Sequence, residues 1–153
     1  MKILVTGGAG FIGSHLMRTL EAAGHEAIAL DNLSTGLREN LLPHMKLIVM
    51  DIHDKAVEDI FQKEHFDAVV HLAAQTLVSD SMADPEHDMH ENIAGTVRIL
   101  ECCRKYSVKR IIFSSSAATY GDVADSALPI SETLPQQPLS FYGLTKKTAE
   151  NYL

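Results

Sequence analysis

The sequence predicts an α/β fold built on a doubly wound parallel sheet. Short apolar runs alternate along the chain with segments of helical periodicity. The apolar runs are nearly continuous rather than alternating, which is typical of strands buried on both faces. The first run ends in three glycines spaced three apart, Gly7, Gly10 and Gly13, and a helical pattern follows at once. These three observations favour strand-helix-strand units over an all-helical or all-β fold.

The elements follow from the same patterns in chain order. Five strands are predicted, at residues 2–6, 26–31, 46–51, 67–74 and 109–116. Helices are predicted over residues 11–24, 54–64 and 85–106, with a last helix that starts near Ser140. Gly24 closes the first helix, and a proline-containing loop precedes the last one. Right-handed crossovers then give the strand order 3-2-1-4-5.

Composition and charge limit the classes of function. A chain of 153 residues is long enough for one domain with a substantial core. The net charge of −7 argues against a nucleic-acid partner, and no apolar run reaches membrane-spanning length. Cys102 and Cys103 belong to no metal-ligand pattern and are interpreted as reduced thiols of a cytoplasmic protein. The histidines show no metal-binding spacing either, so we expect no metal site.

The glycine turn is suited to hold a pyrophosphate. Gly7 permits the tight turn off the strand, Gly10 lets the backbone approach the phosphates, and Gly13 lets the helix pack closely. The positive end of the helix then faces the anion. A glycine-rich turn without a ligand is the alternative, which the strand-turn-helix context disfavours. The sequence therefore predicts a Rossmann-like dinucleotide-binding domain.

Asp31, at the end of the second strand, indicates which dinucleotide is bound. Its carboxylate can accept hydrogen bonds from both ribose hydroxyls and would repel a 2′-phosphate, so NAD is favoured over NADP. A simple turn aspartate is the alternative. The residues expected along the adenosine edge are Asn32, Ser34, Thr35 and Gly36. Asp51, at the end of the third strand, is a candidate acceptor for the adenine amino group, with Ile52 beside it.

Tyr142 and Lys146 are the catalytic candidates. Four residues apart on a predicted helix, they share one face, and an ammonium near a phenol stabilises the phenolate. Such a pair can remove a proton from a sugar hydroxyl. Ser114, Ser115 and Ser116 close the fifth strand, at the edge of the sheet where ligands bind. Simple capping of the strand end is the alternative for these serines.

The predicted last helix reaches Leu153 without a capping signal, and a complete dinucleotide fold adds a sixth strand. We therefore expect residues 1–153 to form an incomplete NAD-binding domain, truncated before a C-terminal substrate domain. A naturally short chain is the alternative.

Several motifs, taken together and in order, resemble one family. They are Thr6-Gly7-Gly8-Ala9-Gly10-Phe11-Ile12-Gly13-Ser14-His15, Asp31-Asn32-Leu33-Ser34-Thr35-Gly36, His71-Leu72-Ala73-Ala74-Gln75, Asn92-Ile93-Ala94-Gly95-Thr96, Phe113-Ser114-Ser115-Ser116, Tyr120-Gly121 and Tyr142-Gly143-Leu144-Thr145-Lys146. The chain resembles the extended short-chain dehydrogenases/reductases, within their NAD-dependent epimerase/dehydratase group. The likeness runs over residues 1–153 and is greatest to nucleotide-sugar 4-epimerases of the UDP-glucose/UDP-galactose type.

The resemblance implies a role for each matching residue. Tyr142 would be the base, Lys146 would hold the nicotinamide ribose, and Ser116 would bind the sugar 4-hydroxyl. Residues implied to line or brace the cofactor site are Phe11, Ile12, Leu72, Ala73, Ala74, Gln75, Asn92 and Ser114, together with Tyr142 and Lys146. Family members that dehydrate or decarboxylate nucleotide sugars carry acidic residues just after the position of Ser116. This chain has Ala117 and Ala118 there, which favours epimerisation.

The resemblance thus implies a nucleotide-sugar 4-epimerase that uses bound NAD, takes a UDP-hexose and forms a homodimer. Two alternatives stay open from the sequence. One is a different reductase or epimerase of the same family, and the other is an NAD-binding fragment without activity.

Overall fold

Five parallel strands form one sheet in the computed structural model, which describes residues 1–153. The strands are β1 (Lys2–Thr6), β2 (Glu26–Asp31), β3 (Lys46–Val49), β4 (Ala68–His71) and β5 (Arg110–Phe113). They lie in the order β3-β2-β1-β4-β5, which confirms the predicted order. At the carboxyl end of β1, Thr6 lies opposite Leu30 of β2 and His71 of β4. The ends of three strands therefore meet at one edge of the sheet.

The helices agree with the prediction in position and differ from it in detail. They are α1 (Phe11–Ala22), α2 (Val57–Glu64), α3 (Val78–Ala83), α4 (Pro85–Met89), α5 (Gly95–Lys105) and α6 (Phe141–Glu150). The predicted helix over 85–106 consists of α4, a π-helical turn at His90–Ala94, and α5. Short α3 was missed. No helix has the length and apolar character needed to cross a membrane.

Residues on the two faces of the sheet pack into separate apolar clusters. Leu4, between Ile3 and Val5 on β1, faces one cluster with residues of α2 and α5, including Phe61 and Ile99. Ile3 and Val5 belong to the other cluster. Because successive side chains of a strand point to opposite faces, a sheet covered on both sides needs apolar residues at consecutive positions. This arrangement confirms the doubly wound, Rossmann-like fold class.

The chain divides into two compact units. The first contains residues 1–74 and 98–114, and it includes the whole sheet. The second contains residues 75–97 and 115–153, and it includes α3, α4, the π-helical turn and α6. In the second unit, α6 packs against α3, α4, the π-helical turn and a 3₁₀ turn at Ala117–Thr119.

Candidate functional site

In the first unit, the glycine turn brings backbone segments unusually close together. Gly7 has a φ of +67°, which an L side chain rarely adopts, and a Cβ there would lie 2.8 Å from the Ala73 nitrogen. A Cβ on Gly13 would lie 2.2 Å from the Gly7 carbonyl oxygen. Both positions therefore require glycine for steric reasons. The structure agrees with the predicted turn and close helix packing at these two residues.

The start of α1 is open to an anion. Gly10 occupies the N-cap position and supplies no side chain, and the first turn contains no acidic residue. Phe11 and Ile12 follow with their side chains 80% and 63% exposed. The first N–H groups of a helix have no acceptor within the helix, so they and the helix dipole favour a bound anion. This end of α1 fits a pyrophosphate.

Asp31 is buried, and its two carboxylate oxygens brace the turns around it. Oδ2 accepts the Ala9 N–H at 2.9 Å, and Oδ1 accepts the Leu33 N–H at 2.8 Å. A carboxylate oxygen has capacity for a second donor, so these bonds leave room for ribose hydroxyls. Gly36 lies against this carboxylate, because a Cβ there would be 2.8 Å from Oδ1. Asp31 therefore has the turn-stabilising role that the sequence left open as an alternative. Its binding of the ribose hydroxyls stays a prediction.

Asp51 and Asn32 link the loops after β2 and β3. The Asn32 Nδ2 donates to Asp51 Oδ2 at 2.9 Å, and the His53 N–H donates to Asp51 Oδ1 at 2.8 Å. Asn32 Oδ1 accepts the Ser34 N–H, which shapes the turn. Ser34 and Thr35 are exposed, whereas Ile52 is buried. The adenine-binding role of Asp51 stays a prediction.

Thr6 and His71 form a buried pair that sequence reasoning missed. Thr6 Oγ1 lies 2.6 Å from His71 Nδ1 and accepts the N–H groups of Leu72 and Ala73, each at 3.2 Å. The pair fixes the segment Leu72–Ala73 next to Gly7. The Ser114 N–H also donates to the His71 carbonyl oxygen, at 3.2 Å.

In the second unit, Tyr142 and Lys146 lie on the same face of α6. Ser140 caps this helix by accepting the Gly143 N–H at 3.0 Å, which fixes where it begins. The Lys146 Nζ lies 6.0 Å from the centroid of the Tyr142 ring. Tyr142 is half-buried, whereas Lys146 is only 3% exposed. Lys147 turns elsewhere and donates to the Gln136 carbonyl oxygen at 2.9 Å.

Ser116 sits on a segment that α6 contacts closely. Its Oγ accepts the Ala118 N–H at 3.1 Å and so caps the 3₁₀ turn. Ser116 therefore has a capping role, which the sequence left open as an alternative. Its hydroxyl proton is still free to be donated in a hydrogen bond. A Cβ on Gly143 would lie 2.4 Å from the Ala118 carbonyl oxygen. The residue after Tyr142 thus packs directly on the turn that Ser116 caps. Ser115 has a different partner, because its Oγ donates to Glu150.

A buried polar cluster adjoins Lys146, and sequence reasoning found only part of it. The Asn92 Nδ2 lies 3.1 Å from the Gln75 carbonyl oxygen, 3.0 Å from Asp88 Oδ1 and 3.2 Å from Thr145 Oγ1. Thr145 Oγ1 also lies 2.8 Å from Asp88 Oδ2. Gln75 and Asn92 were predicted, whereas Asp88 and Thr145 were not. The spacing of Asp88 and Asn92, four residues apart in a helical segment, was the available signal.

The predicted site residues therefore fall into two groups. The first unit contains most of the dinucleotide candidates, which are Gly7, Gly10, Phe11, Ile12, Gly13, Asp31, Asn32, Ser34, Thr35, Gly36, Asp51, Ile52, Leu72, Ala73, Ala74 and Ser114. The second unit contains the remaining cofactor candidates, Gln75 and Asn92, and the catalytic candidates, which are Ser116, Tyr142 and Lys146.

The burial of Lys146 predicts a pH dependence of stability. Burial disfavours the ammonium and lowers its pKa from 10.5 to about 8. Between these values the unfolded chain holds a proton that the folded chain has released, so the free energy of unfolding rises with pH. The full difference is about 3 kcal/mol. Burial also raises the pKa of Cys103 to about 12, which lowers stability as the pH rises above the ordinary thiol value of 9.0.

Comparison with Lys146→Met separates the contribution of Lys146 to the pH dependence of stability from that of Cys103. Urea unfolding is measured from about pH 7.5 to about pH 9.5. We expect the free energy of unfolding of the wild type, relative to that of Lys146→Met, to rise across this range. The control variant Lys147→Met should show the same dependence of stability on pH as the wild type. Parallel curves for the wild type and Lys146→Met would contradict the prediction.

Three comparisons with known proteins agree with this geometry. The model of the NAD dependent epimerase/dehydratase family matches residues 3–153. A putative UDP-glucose 4-epimerase of Methanocaldococcus jannaschii is 43% identical over 99% of this chain and 49% of its own length. The structure of Thermus thermophilus UDP-glucose 4-epimerase with NAD is 42% identical, with a TM-score of 0.95, over 99% of this chain and 49% of that one.

The structure of the Thermotoga maritima UDP-glucose 4-epimerase with UDP-glucose is also 42% identical, with a TM-score of 0.94, over 99% of this chain and 50% of that one. This chain spans about half the length of the curated relatives that it matches.

Proposed function

The chain belongs to the NAD-dependent epimerase/dehydratase family, and we propose that it supplies the NAD-binding and proton-transfer residues of a nucleotide-sugar 4-epimerase of the UDP-glucose/UDP-galactose type. The observation that carries the proposal is the Tyr142–Lys146 pair, with a buried ammonium 6.0 Å from the phenol ring. It occurs in a chain whose glycine turn also fits a dinucleotide.

The first unit binds the dinucleotide. The pyrophosphate lies on the N–H groups at the start of α1, next to a turn that is too tightly packed for a side chain at Gly7 or Gly13. Asp31 accepts the hydroxyls of the adenosine ribose, and Asp51 accepts the adenine amino group. Leu72, Ala73 and Ala74 pass along the cofactor. The braces that Asp31 and Thr6 provide hold these segments before the ligand arrives.

The second unit supplies the base. Tyr142 takes the proton of the sugar 4-hydroxyl, and the positive charge of Lys146 stabilises the phenolate that does so. Lys146 also hydrogen-bonds the nicotinamide ribose, and Asn92 braces the cluster beside it. Ser116 donates a hydrogen bond from its hydroxyl to the reacting sugar oxygen. Bound NAD would supply the hydride chemistry, taking the hydride from C4 and giving it back after the 4-keto sugar has turned over, and Tyr142 then returns the proton to the sugar oxygen.

Titration with NADH and NADPH, followed by fluorescence, tests the cofactor proposal. We expect residues 1–153 to bind NADH more tightly than NADPH. Equal or tighter binding of NADPH would contradict the role of Asp31.

Asp31→Asn is expected to narrow that preference. The amide keeps one acceptor and loses the negative charge, so NADH affinity should fall by about 10- to 100-fold. NADPH binding should change less, because its phosphate is no longer repelled. The exposed Asp59→Asn is the matched control and should leave both affinities unchanged. An unchanged ratio of the two affinities in Asp31→Asn would refute the assignment.

A second candidate function is an NAD-binding segment without turnover of its own, which the half-length match to the relatives favours. A coupled assay of residues 1–153 on UDP-glucose and UDP-galactose separates the two candidates.

A different reductase or epimerase of the same family is the remaining alternative, and a panel of nucleotide sugars tests it. Ala117 and Ala118 provide no acid for an elimination reaction, which disfavours a dehydratase.

The partner and location follow from the same proposal. A second copy of the chain is the proposed partner, because the second unit exposes apolar side chains at Leu139, Phe141 and Leu144. Sedimentation of the chain at several concentrations tests this homodimer. The proposed location is the cytoplasm, which the two buried free thiols, Cys102 and Cys103, support.

A further inference from the structure

Asp88 is a carboxylate buried with no charged hydrogen-bond partner. Its side chain is 0% exposed. Oδ1 accepts from Gln75 Nε2 at 3.1 Å and from Asn92 Nδ2 at 3.0 Å, and Oδ2 accepts from Thr145 Oγ1 at 2.8 Å. All three donors are neutral. They satisfy the lone pairs of the carboxylate but leave its negative charge uncompensated, and a buried charge of this kind requires a countercharge nearby.

The local sequence holds Asp88 firmly in place. Asp84 caps α4 by accepting the His87 N–H at 3.0 Å, and Pro85 occupies the first turn, so the position of the short helix is well defined. Thr145 connects Asp88 to α6, and it directly precedes Lys146. The threonine hydroxyl also lies 3.0 Å from the Tyr142 carbonyl oxygen, but its single proton makes the stronger bond to the carboxylate.

Lys146 is the buried cation closest to this cluster along the chain, because Thr145, which donates to Asp88, directly precedes it on α6. The negative charge of Asp88 favours the ammonium of Lys146, and the lysine in turn favours the ionised carboxylate. The other titratable side chains on the helical elements that pack against α6 are Asp80, Glu86, His87, His90 and Glu91. None of them is buried, and the titratable groups on α6 itself are Tyr142, Lys147 and Glu150. Asp88 is therefore the buried anion matched to the buried cation.

We propose that Asp88 is a positioning residue whose negative charge keeps Lys146 protonated on the face of α6 that also carries Tyr142. The role that Lys146 has in this inference rests on the proposed function, whereas its pairing with Asp88 does not. Burial alone works against the charge that Lys146 needs in order to stabilise a phenolate and hydrogen-bond a ribose. A carboxylate held by neutral donors restores that charge without touching the cofactor or the sugar.

The directions of the pKa shifts are consistent with this pairing. Burial lowers the pKa of Lys146 to about 8, and Asp88 opposes that change. Burial raises the pKa of Asp88, whereas the hydrogen bond from Thr145 and the charges of Lys146 and His87 lower it. Each partner thus stabilises the charged form of the other.

The test follows the titration of Lys146 directly, by NMR of residues 1–153 carrying isotope-labelled lysine. Lys146→Arg assigns the signal. In Asp88→Asn, we expect the midpoint of the Lys146 titration to fall by about 1 pH unit or more. Thr145→Val is the matched control, because it removes a hydrogen bond to Asp88 and keeps the charge. Its midpoint should move much less, and an unchanged midpoint in Asp88→Asn would overturn the proposal.

The reciprocal measurement keeps the test decisive if Asp88→Asn does not fold. In Lys146→Met, the carboxyl titration of Asp88 should move to higher pH, because linkage between two groups acts equally in both directions. An Asp88 titration that does not move would also overturn the pairing.

Binding of NADH separates this inference from the proposed function. In Asp88→Asn, the loss of NADH affinity with rising pH should begin about 1 pH unit lower than in the wild type, and lowering the pH should restore the affinity. A purely structural role for Asp88 would weaken binding equally at every pH, which contradicts the inference. If the wild type fails to bind NADH, the cofactor proposal fails, and the NMR titrations still decide the pairing.

Discussion

Replacing Tyr142 with phenylalanine is expected to slow 4-epimerisation by about 100- to 10,000-fold. The variant keeps the aromatic ring and loses only the oxygen that takes the proton from the sugar. Binding of NADH should stay close to that of the wild type, because the ring that would contact the cofactor is kept. The rate is measured with UDP-galactose in a protein that joins residues 1–153 to the second half of a full-length relative.

The exposed tyrosine of the same chain provides the control for this experiment. Tyr152→Phe removes a phenol that is 57% exposed and lies beyond α6, so turnover should not change. Lys146→Met should lower both turnover and NADH affinity, because the lysine has both roles. A Tyr142→Phe protein with near-normal turnover would show that another group removes the proton.

Replacing Gly13 with alanine is expected to destabilise the first unit severely. The new methyl group would lie 2.2 Å from the Gly7 carbonyl oxygen and 2.7 Å from the Gly8 Cα. Both are backbone atoms at the end of the central strand, so they cannot move aside as a flexible side chain would. We expect a loss of more than about 3 kcal/mol in the free energy of unfolding, measured in urea, together with loss of NADH binding.

Gly10→Ala separates an effect on folding from an effect on the approach of the dinucleotide phosphates. The closest atom to a Cβ at Gly10 is the Gly7 carbonyl oxygen at 3.3 Å, a tight contact that small shifts can relieve. This variant should therefore fold with a modest loss of stability and still bind NADH poorly, because the methyl group would occupy the approach to the phosphates. Equal stability of Gly13→Ala and Gly10→Ala would contradict the steric argument.

The element order and strand order could be predicted because the signals are local or follow general rules. Consecutive apolar residues mark the buried strands, and right-handed crossovers then fix the order. The three-part structure of residues 85–105 could not be predicted, because a single π-helical turn of five residues is too short to show a periodicity of its own. The Thr96 hydroxyl of α5 donates to the Asn92 carbonyl oxygen of this turn at 2.6 Å.

The site residues divide in the same way, into those with a local sequence signal and those that depend on contacts with distant parts of the chain. Gly13, Tyr142 and Lys146 were predictable because each belongs to a short motif whose spacing has a mechanical reason. Asp88 was not, because its partner Thr145 lies 57 residues away. In the sequence, a buried acid in a helix looks like any surface acid, because only tertiary packing places its hydrogen-bond partners around it. Ser116 was predicted as a functional hydroxyl, but its capping bond depends on the 3₁₀ turn that follows.

The central position of β1 has a consequence for how the chain emerges from the ribosome. β1 is made first, yet its second neighbour, β4, pairs through residues such as His71, which lies 65 positions after Thr6. At ordinary rates of synthesis, roughly 3 to 13 s separate the two. During that interval, Leu4 and Val5 have no completed sheet in which to be buried. The central strand of the finished sheet thus waits longer for its second neighbour than any other strand of that sheet.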